Sequence, residues 1–293
     1  MSRVFESRSH TRRLLRVAAI LLFIMLVGAT YQGVATALER REFQRPGGLV
    51  SVGDHQLHLF CVGKGTPAVV LEAPAAGLSA AWGEVQHRVA VGTRVCSYDR
   101  AGLGWSEAGD RPFDPGRVPE ELRTLLEASG ERGPYVIAGH GLGAAFARMY
   151  AARPDAQAAA VVLINPPAGN AADAPSSAWL MPASPWLARV GVLRVGRILS
   201  SKADALDGSS GAAVRAFLNR PDHLTRAAAE VAKWDDALRM AADARLAADL
   251  PARTLQVSDD DRIAFLSDPA DIERVVAAIE EAVTASRERS AAP

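Results

Sequence analysis

A chain of 293 residues that is 49% hydrophobic and 23% charged buries one large core, or one domain with an inserted lid, which excludes disordered, collagen-like and disulfide-scaffold classes. Its 33 basic and 33 acidic residues balance, yet the first 45 residues hold eight arginines against three glutamates and leave the remainder net acidic by five. That asymmetry argues against a nucleic-acid partner and for a membrane at the N-terminus.

Arg8, Arg12, Arg13 and Arg16 precede the apolar run at 17–27, and a weaker continuation passes Tyr31 and Gln32 to Leu38. From Val17 to Leu38 the segment reaches the roughly 20 residues that a membrane span needs. Two readings fit: an uncleaved signal anchor, or a secretory signal cut after Ala37 in Ala35-Thr36-Ala37. That site lies well beyond the strong apolar run, which favours the anchor. Under either reading the arginine excess holds the N-terminus in the cytoplasm and places the following domain outside it. A charged stretch then ends at Pro46-Gly47, so residues 1–46 are expected to be basic N-terminus, anchor or signal, and linker, and the first 45 to add nothing to the soluble core.

Residues 49–52 and 56–62, joined by Gly53-Asp54-His55, read as a β-hairpin. The short apolar run at 68–71 suits a strand covered on both faces. An amphipathic helix at 78–91 and a strand at 93–98 follow, then a helix at 119–128 with Pro119 and two glutamates in its first turn. The stretch 135–150, YVIAGHGLGAAFARMY, changes period in its middle: a strand at 135–138, a helix from Ala144, and Gly139-His140-Gly141-Leu142-Gly143 between them. Glycines are expected where a strand and helix cross closely. This is the frame of the nucleophile elbow G-x-S-x-G with Gly141 in the serine's place; a plain tight βα turn and a dinucleotide-type glycine turn are the rival readings.

With a further buried strand at 158–164, the alternation over 47–165 predicts a doubly wound, mainly parallel sheet. The strand signal then disappears. Helical stretches at 186–199, 211–218, 225–234 and 238–248 make residues 166–250 an inserted lid over the carboxyl edge of the sheet. Residues 251–293 complete the core with a strand at 253–257 and a helix at 272–287. The two cysteines, Cys61 and Cys96, are either buried small hydrophobes or, in an exported domain, a disulfide.

These motifs together resemble the α/β-hydrolase superfamily, and within it bacterial membrane-anchored members. Leu71-Glu72-Ala73 with Gly77 and Trp82 is similar to the family's loop after the third strand, and YDRAGLGWS at 98–106 is similar to its YDRxGxGxS turn. The resemblance implies an α/β-hydrolase fold with no cofactor and no metal, and a relay of Ser, then Asp or Glu, then His. Gly141 stands where the serine belongs. Alignment on Pro269 puts Arg262 at the histidine's place, and a guanidinium stays protonated and is no general base. Asp259 or Asp260 follows the late strand as the acid, while the alternative acid place after the sixth strand holds Asn165. Only eleven residues separate Val257 from Pro269, so the eighth strand is expected to be truncated.

No second relay is expected. His140 reads as a packed histidine, His223 as a solvated helix-start residue, and Ser79, Ser106 and Ser258 as loop residues bonded to backbone. The backbone donors carried over by position are Ala75 and Leu142, an oxyanion-type site that needs no serine side chain. In this family the second and fourth strands are neighbours, so the resemblance implies a Cys61–Cys96 disulfide. The expected function is a hydrolase-fold protein that has lost serine-hydrolase activity and keeps a cleft for a small apolar ester or carboxylic acid. The rivals are an active hydrolase working through other residues, and a partner-binding scaffold.

Overall fold

The strand signals of the sequence assemble into one twisted sheet of seven strands: β1 (Gly48–Ser51), β2 (Gln56–Val62), β3 (Ala68–Glu72), β4 (Val95–Tyr98), β5 (Tyr135–His140), β6 (Ala158–Ile164) and β7 (Ala252–Leu255), in the order β1-β2-β4-β3-β5-β6-β7. β2 pairs antiparallel with β1 and with β4, and every other pairing is parallel. The computed structural model describes residues 2–168, 177–206, 208–258 and 266–291. The seven strands are those of the described residues; most of the short segment before Pro269, on which the expected truncation of the eighth strand falls, lies outside them.

The helices are α1 (Ser2–Glu42), α2 (Gly83–Val89), α3 (Val118–Ala128) and α4 (Leu142–Ala151), then the lid helices α5 (Ser184–Arg189), α6 (Val192–Gly196), α7 (Gly208–Phe217), α8 (Pro221–Ala232) and α9 (Trp234–Asp243), and finally α10 (Pro269–Ala291). Strand alternation sorts the core into two layers. Val69, Leu71 and Val136 pack with Val85 of α2 and Val275 and Ile279 of α10. Val70 and Ile137 point the other way, onto Leu122 and Leu125 of α3 and Ala147 of α4. Every residue of β3 and of β5 is buried, which explains why these strands read as apolar runs instead of alternating patterns. Cys61 and Cys96 are directly opposed on β2 and β4, with Cα atoms 4.0 Å apart, and form a disulfide.

The lid departs from its expected boundaries for local reasons. Gly191, at φ +75°, breaks the single helix expected at 186–199 into α5 and α6. α8 starts four residues early, because Pro221 is pre-set for a first helical turn. α9 starts at Trp234, whose ring joins Ala237, Leu238 and Ala241 on one buried face.

The expectation that the first 45 residues add nothing to the domain is corrected. Residues 12–42 of α1 are long and apolar enough to cross a membrane by length and composition, yet the second half of the helix packs on the lid. A Cβ on Gly28 would overlap the carbonyl oxygen of Val190. Gln32 is 3% exposed, donates to Asn219 O at 2.7 Å and accepts from Arg194 Nε at 2.9 Å. Arg194 also pairs with Glu39, and Arg40 with Asp222. Beyond the helix, Phe43 O accepts the indole N–H of Trp105, and Pro46 O meets His58 Nε2. The linker is charged overall, but its carbonyls are used as acceptors by the core.

Candidate functional site

β5 passes into α4 through Gly141, whose backbone sits at φ 56°, ψ −122°, a region that residues with a Cβ occupy only under strain. Gly141 N donates to Ile164 O at 2.9 Å, and Gly141 O accepts from Ala144 N at 3.0 Å. The flanking glycines are sterically required. A Cβ on Gly139 would overlap Gly143 O, and one on Gly143 would overlap Glu72 O and Ala73 O. The glycine frame therefore brings three things together: the end of β5, the start of α4 and the loop after β3. What it presents at its centre is a glycine without a hydroxyl.

Ala75 and Leu142, the expected oxyanion-type donors, are both fully buried and share an apolar cluster with Phe146, Trp234 and Leu238. Beside the elbow, Pro74, Ala81, Trp82, His140 and Leu266 line a shallow, partly open crevice with no room for the centre of a water molecule. His140 is fully buried, edge-on to Trp82 at 6.5 Å, and burial pushes its pKa down to about 4; it is neutral at physiological pH. Asp259 and Arg262, the other relay positions expected from the sequence, lie outside the described residues, as does Asp260. Asn165 clasps the ends of β6 and β7: its Oδ1 accepts from Val257 N at 2.8 Å and its Nδ2 donates to Val257 O at 3.3 Å. Ser258 donates from both N and Oγ to Asp271 in the first turn of α10, where a backbone acceptor was expected.

A buried ion cluster underlies the loop after β3. All five N–H bonds of the Arg100 guanidinium are used: Nε to Glu230 Oε1 at 2.7 Å, Nη2 to Glu230 Oε2 at 2.9 Å and Pro74 O at 2.9 Å, and Nη1 to Glu72 Oε1 at 2.6 Å and Ala73 O at 2.7 Å. Tyr98 donates to the other oxygen of Glu72, and Ala76 N reaches Glu230 Oε2 at 3.3 Å. Burial raises the Glu72 carboxyl above its ordinary value, against the pull of Arg100. It also lifts the Tyr98 phenol, and the Glu72 charge adds to that rise. For Arg100 burial works against the charge, and the two carboxylates overcome it and raise its pKa. The sequence flagged Glu72 and Arg100 within motifs. Glu230 carried no local signal.

A second buried centre joins His58, Asp99, Ser79 and Trp105. His58 Nδ1 is 3.0 Å from Asp99 Oδ2, both side chains being inaccessible to solvent. Asp99 also accepts from Ser79 N at 2.6 Å and Trp105 N at 2.9 Å. Ser79 Oγ lies 3.3 Å from the same Nδ1. A hydrolytic relay needs serine and acid on opposite ring nitrogens; here both are on Nδ1 and Nε2 faces Pro46 O. Two acceptors, one at each nitrogen, suit an imidazolium. Burial lowers the His58 pKa, but the hydrogen bond and charge of Asp99 outweigh it and the net shift is upward.

His223 is corrected from a solvated residue to a buried one, 2% exposed. Its Nε2 lies 2.9 Å from Ala76 O and its Nδ1 accepts from Gly104 N at 3.1 Å, which fixes the neutral tautomer. Burial, the leading cause, lowers its pKa. Ser106 bonds to backbone as expected, donating to Asp99 O and accepting from His58 N.

Residues 65–290 match the profile described as Alpha/beta hydrolase family. Among solved structures, the Cif epoxide hydrolase from Acinetobacter nosocomialis aligns with a TM-score of 0.65 at 14% identity, covering 87% of this chain and 96% of that one. The enol-lactonase from Burkholderia xenovorans aligns with a TM-score of 0.60 at 17% identity, covering 81% of this chain and all of the other. At such identities the likeness is one of fold. Curated relatives include an uncharacterized protein of Schizosaccharomyces pombe, 32% identical over 35% of this chain and 20% of its own length. An uncharacterized vacuolar membrane protein of Saccharomyces cerevisiae is 30% identical over 34% of this chain and 18% of its own. The matched stretch is thus about a fifth of each of these relatives.

Proposed function

The chain belongs to the alpha/beta hydrolase family, and we propose that it is a membrane-anchored member that has lost serine-hydrolase chemistry and uses the fold for binding. The observation that carries this reading is Gly141: the elbow keeps the backbone conformation that presents a nucleophile and has no nucleophile to present. The narrow space beside it and the relay-incompatible geometry of His58, Asp99 and Ser79 support the same reading. Anchoring through α1, with the domain outside the cytoplasm, rests on the apolar length of the helix and on the arginines that precede it. The test is turnover of an activated small ester by the purified wild-type chain. Turnover that scales with enzyme concentration and exceeds the buffer rate overturns the non-catalytic reading.

One observation favours a small-molecule ligand over a protein partner. Phe43, Phe60, Trp105 and Ala213 line a cavity of about 270 Å³ that also touches Ser79 and His87. It lies where the linker after α1 meets β2 and the lid, away from the elbow. Aromatic surface beside polar groups, which here include Glu42, Gln44, Gln86 and His87, suits a small ester or carboxylic acid. Such a ligand raises the thermal midpoint of the chain if it binds the folded state; a flat response across a panel of esters and acids favours the partner-binding scaffold.

A further inference from the structure

The apolar half of α1 is too short to cross a bilayer alone. Residues 17–27 are continuously apolar, and eleven residues at 1.5 Å each span only about 16 Å of a hydrocarbon core roughly 30 Å thick. A helix that leaves Arg16 at one surface reaches the other at about Thr36, some 20 residues on. The stretch 28–36 must therefore lie inside the membrane if α1 crosses it, and that stretch is where the lid is attached. Gly28 is in backbone contact with Val190, and a Cβ on Gly191 would stand 3.0 Å from Gly28 O. One turn later Gln32 hides its amide against Asn219 O and Arg194, which keeps a polar group of the span away from lipid.

The surface of the lid agrees with this depth. Outside α1 seven large hydrophobic side chains are exposed among the described residues: Val91, Trp179, Trp186, Val192, Val195, Ile198 and Met240. Five of them fall within 179–198, the segment that contains Val190 and Gly191. Trp179 and Trp186 are 80% and 71% exposed, and Val195 is 74% exposed. Arg189 stacks on Trp186, its guanidinium 4.8 Å from the ring centroid, an arrangement in which the stem follows apolar surface and the charge stays near headgroups. Tryptophan and arginine together mark the level at which a membrane surface meets water.

We propose that the lid segment 179–198 is a membrane-embedded face: it sits beside α1 in the leaflet on the domain's side, with Trp179, Trp186, Val192, Val195 and Ile198 among lipid. The occupant is the bilayer itself, because the patch is continuous with the helix that enters it. The inference rests on the anchoring of α1 proposed above. The domain then rests its lid in the bilayer instead of hanging from a free tether.

The test uses the full chain reconstituted into phosphatidylcholine vesicles whose acyl chains carry bromine, which quenches indole emission on contact. Trp82 and Trp234 are buried in the fold, and Trp105 packs on Phe217 and His58, so quenching reports Trp179 and Trp186. The wild type is expected to lose on the order of two-fifths of its emission relative to unbrominated vesicles, the share of its five tryptophans placed at the lipid. The variant Trp179→Phe with Trp186→Phe keeps the apolar surface and is expected to lose none. Equal quenching of both proteins, or an unquenched wild type that resists alkaline carbonate extraction, overturns the lid inference while leaving the anchor intact. Among such results, a cross-linkable dimer with an unquenched wild type assigns the face to a second copy. Release of the wild type by carbonate overturns the anchor and the lid inference together.

Discussion

Arg100, in the turn after β4, and Glu230, on lid helix α8, meet as a two-pronged ion pair at 2.7 and 2.9 Å across a separation of 130 residues, at 3% and 0% exposure. The same guanidinium holds Glu72 and the carbonyls of Ala73 and Pro74, so one side chain ties the lid to the loop that carries Ala75. A lid fixed in this way is poorly suited to opening for each turnover. Replacing Arg100 by Met strands two carboxylates in the interior, and replacing Glu230 by Ala leaves a half-paired guanidinium. Each change is expected to cost about 3–5 kcal/mol of stability, read as a fall in the urea midpoint. A loss under about 1 kcal/mol in both variants would contradict the buried pairing.

His140 ties stability to acid. Its pKa is about 4 in the folded chain because burial disfavours the charged ring, against roughly 6.5 when unfolded. The depressed value means that its contribution is complete above pH 6.5 and is lost as the pH falls toward 4, worth about 3 kcal/mol in all. His140→Gln is expected to flatten the stability profile between pH 6.5 and 4. An unchanged slope in that variant would place the acid sensitivity elsewhere.

His58 acts in the opposite direction. Its pKa is raised in the folded state by Asp99, which more than offsets desolvation, so its contribution is complete below about pH 6.5 and is lost as the pH rises through the higher folded value. Asp99, although desolvated, is held below its ordinary value by His58 and by the N–H groups of Ser79 and Trp105. Its contribution is present above the usual carboxylate range and disappears in acid. Denaturant midpoints from pH 6 to 9 should decline for the wild type and stay level for His58→Gln. A decline that survives in the variant would exclude the ion pair as its source.

Cys61 and Cys96 are 35 residues apart and joined across β2 and β4. Closing a loop of that length in the unfolded chain stabilises the fold by about 3–4 kcal/mol in the chain-entropy account. Cys61→Ala with Cys96→Ala is expected to fold with a lower thermal midpoint, and the midpoint should no longer respond to reductant. A wild type indifferent to reductant, with two free thiols by titration, would refute the crosslink.

The sheet was legible in the sequence because its signals are local. The strand expected at 158–164 is β6 with the same limits, and Gly139, Gly141 and Gly143 announced a strand–helix crossing whose close contacts Gly139 and Gly143 permit. The contacts that were missed are non-local. Gln32 looked like a weak point in an apolar helix until Asn219, 187 residues away, supplied its acceptor. His223 looked solvated because helix-start residues usually are, and Ala76, 147 residues earlier, covers it. Glu230 is the one glutamate of the amphipathic helix α8, and only the approach of Arg100 distinguishes its role. Nothing in a local pattern records such partners.

Gly141 provides the sharpest test of whether the elbow has been released from catalysis. At φ 56°, ψ −122° a side chain incurs backbone strain of about 1–3 kcal/mol, which glycine avoids. Gly141→Ala and Gly141→Ser are therefore both expected to lower the urea midpoint by a similar amount, because the strain comes from the Cβ that they share. An enzyme accepts that strain in exchange for a nucleophile; under the proposed reading the exchange would bring nothing here. His140 precedes Gly141 in the chain and is fully buried, and the relay position after the last strand is occupied in sequence by Arg262, which cannot take the serine's proton. Gly141→Ser should consequently be less stable and no more active than the wild type on an activated ester, and adding Arg262→His tests whether the missing base alone was limiting. If Gly141→Ser by itself gains turnover that an active-site serine reagent abolishes, a working base is already in place, and the site is one substitution away from an enzyme instead of dismantled.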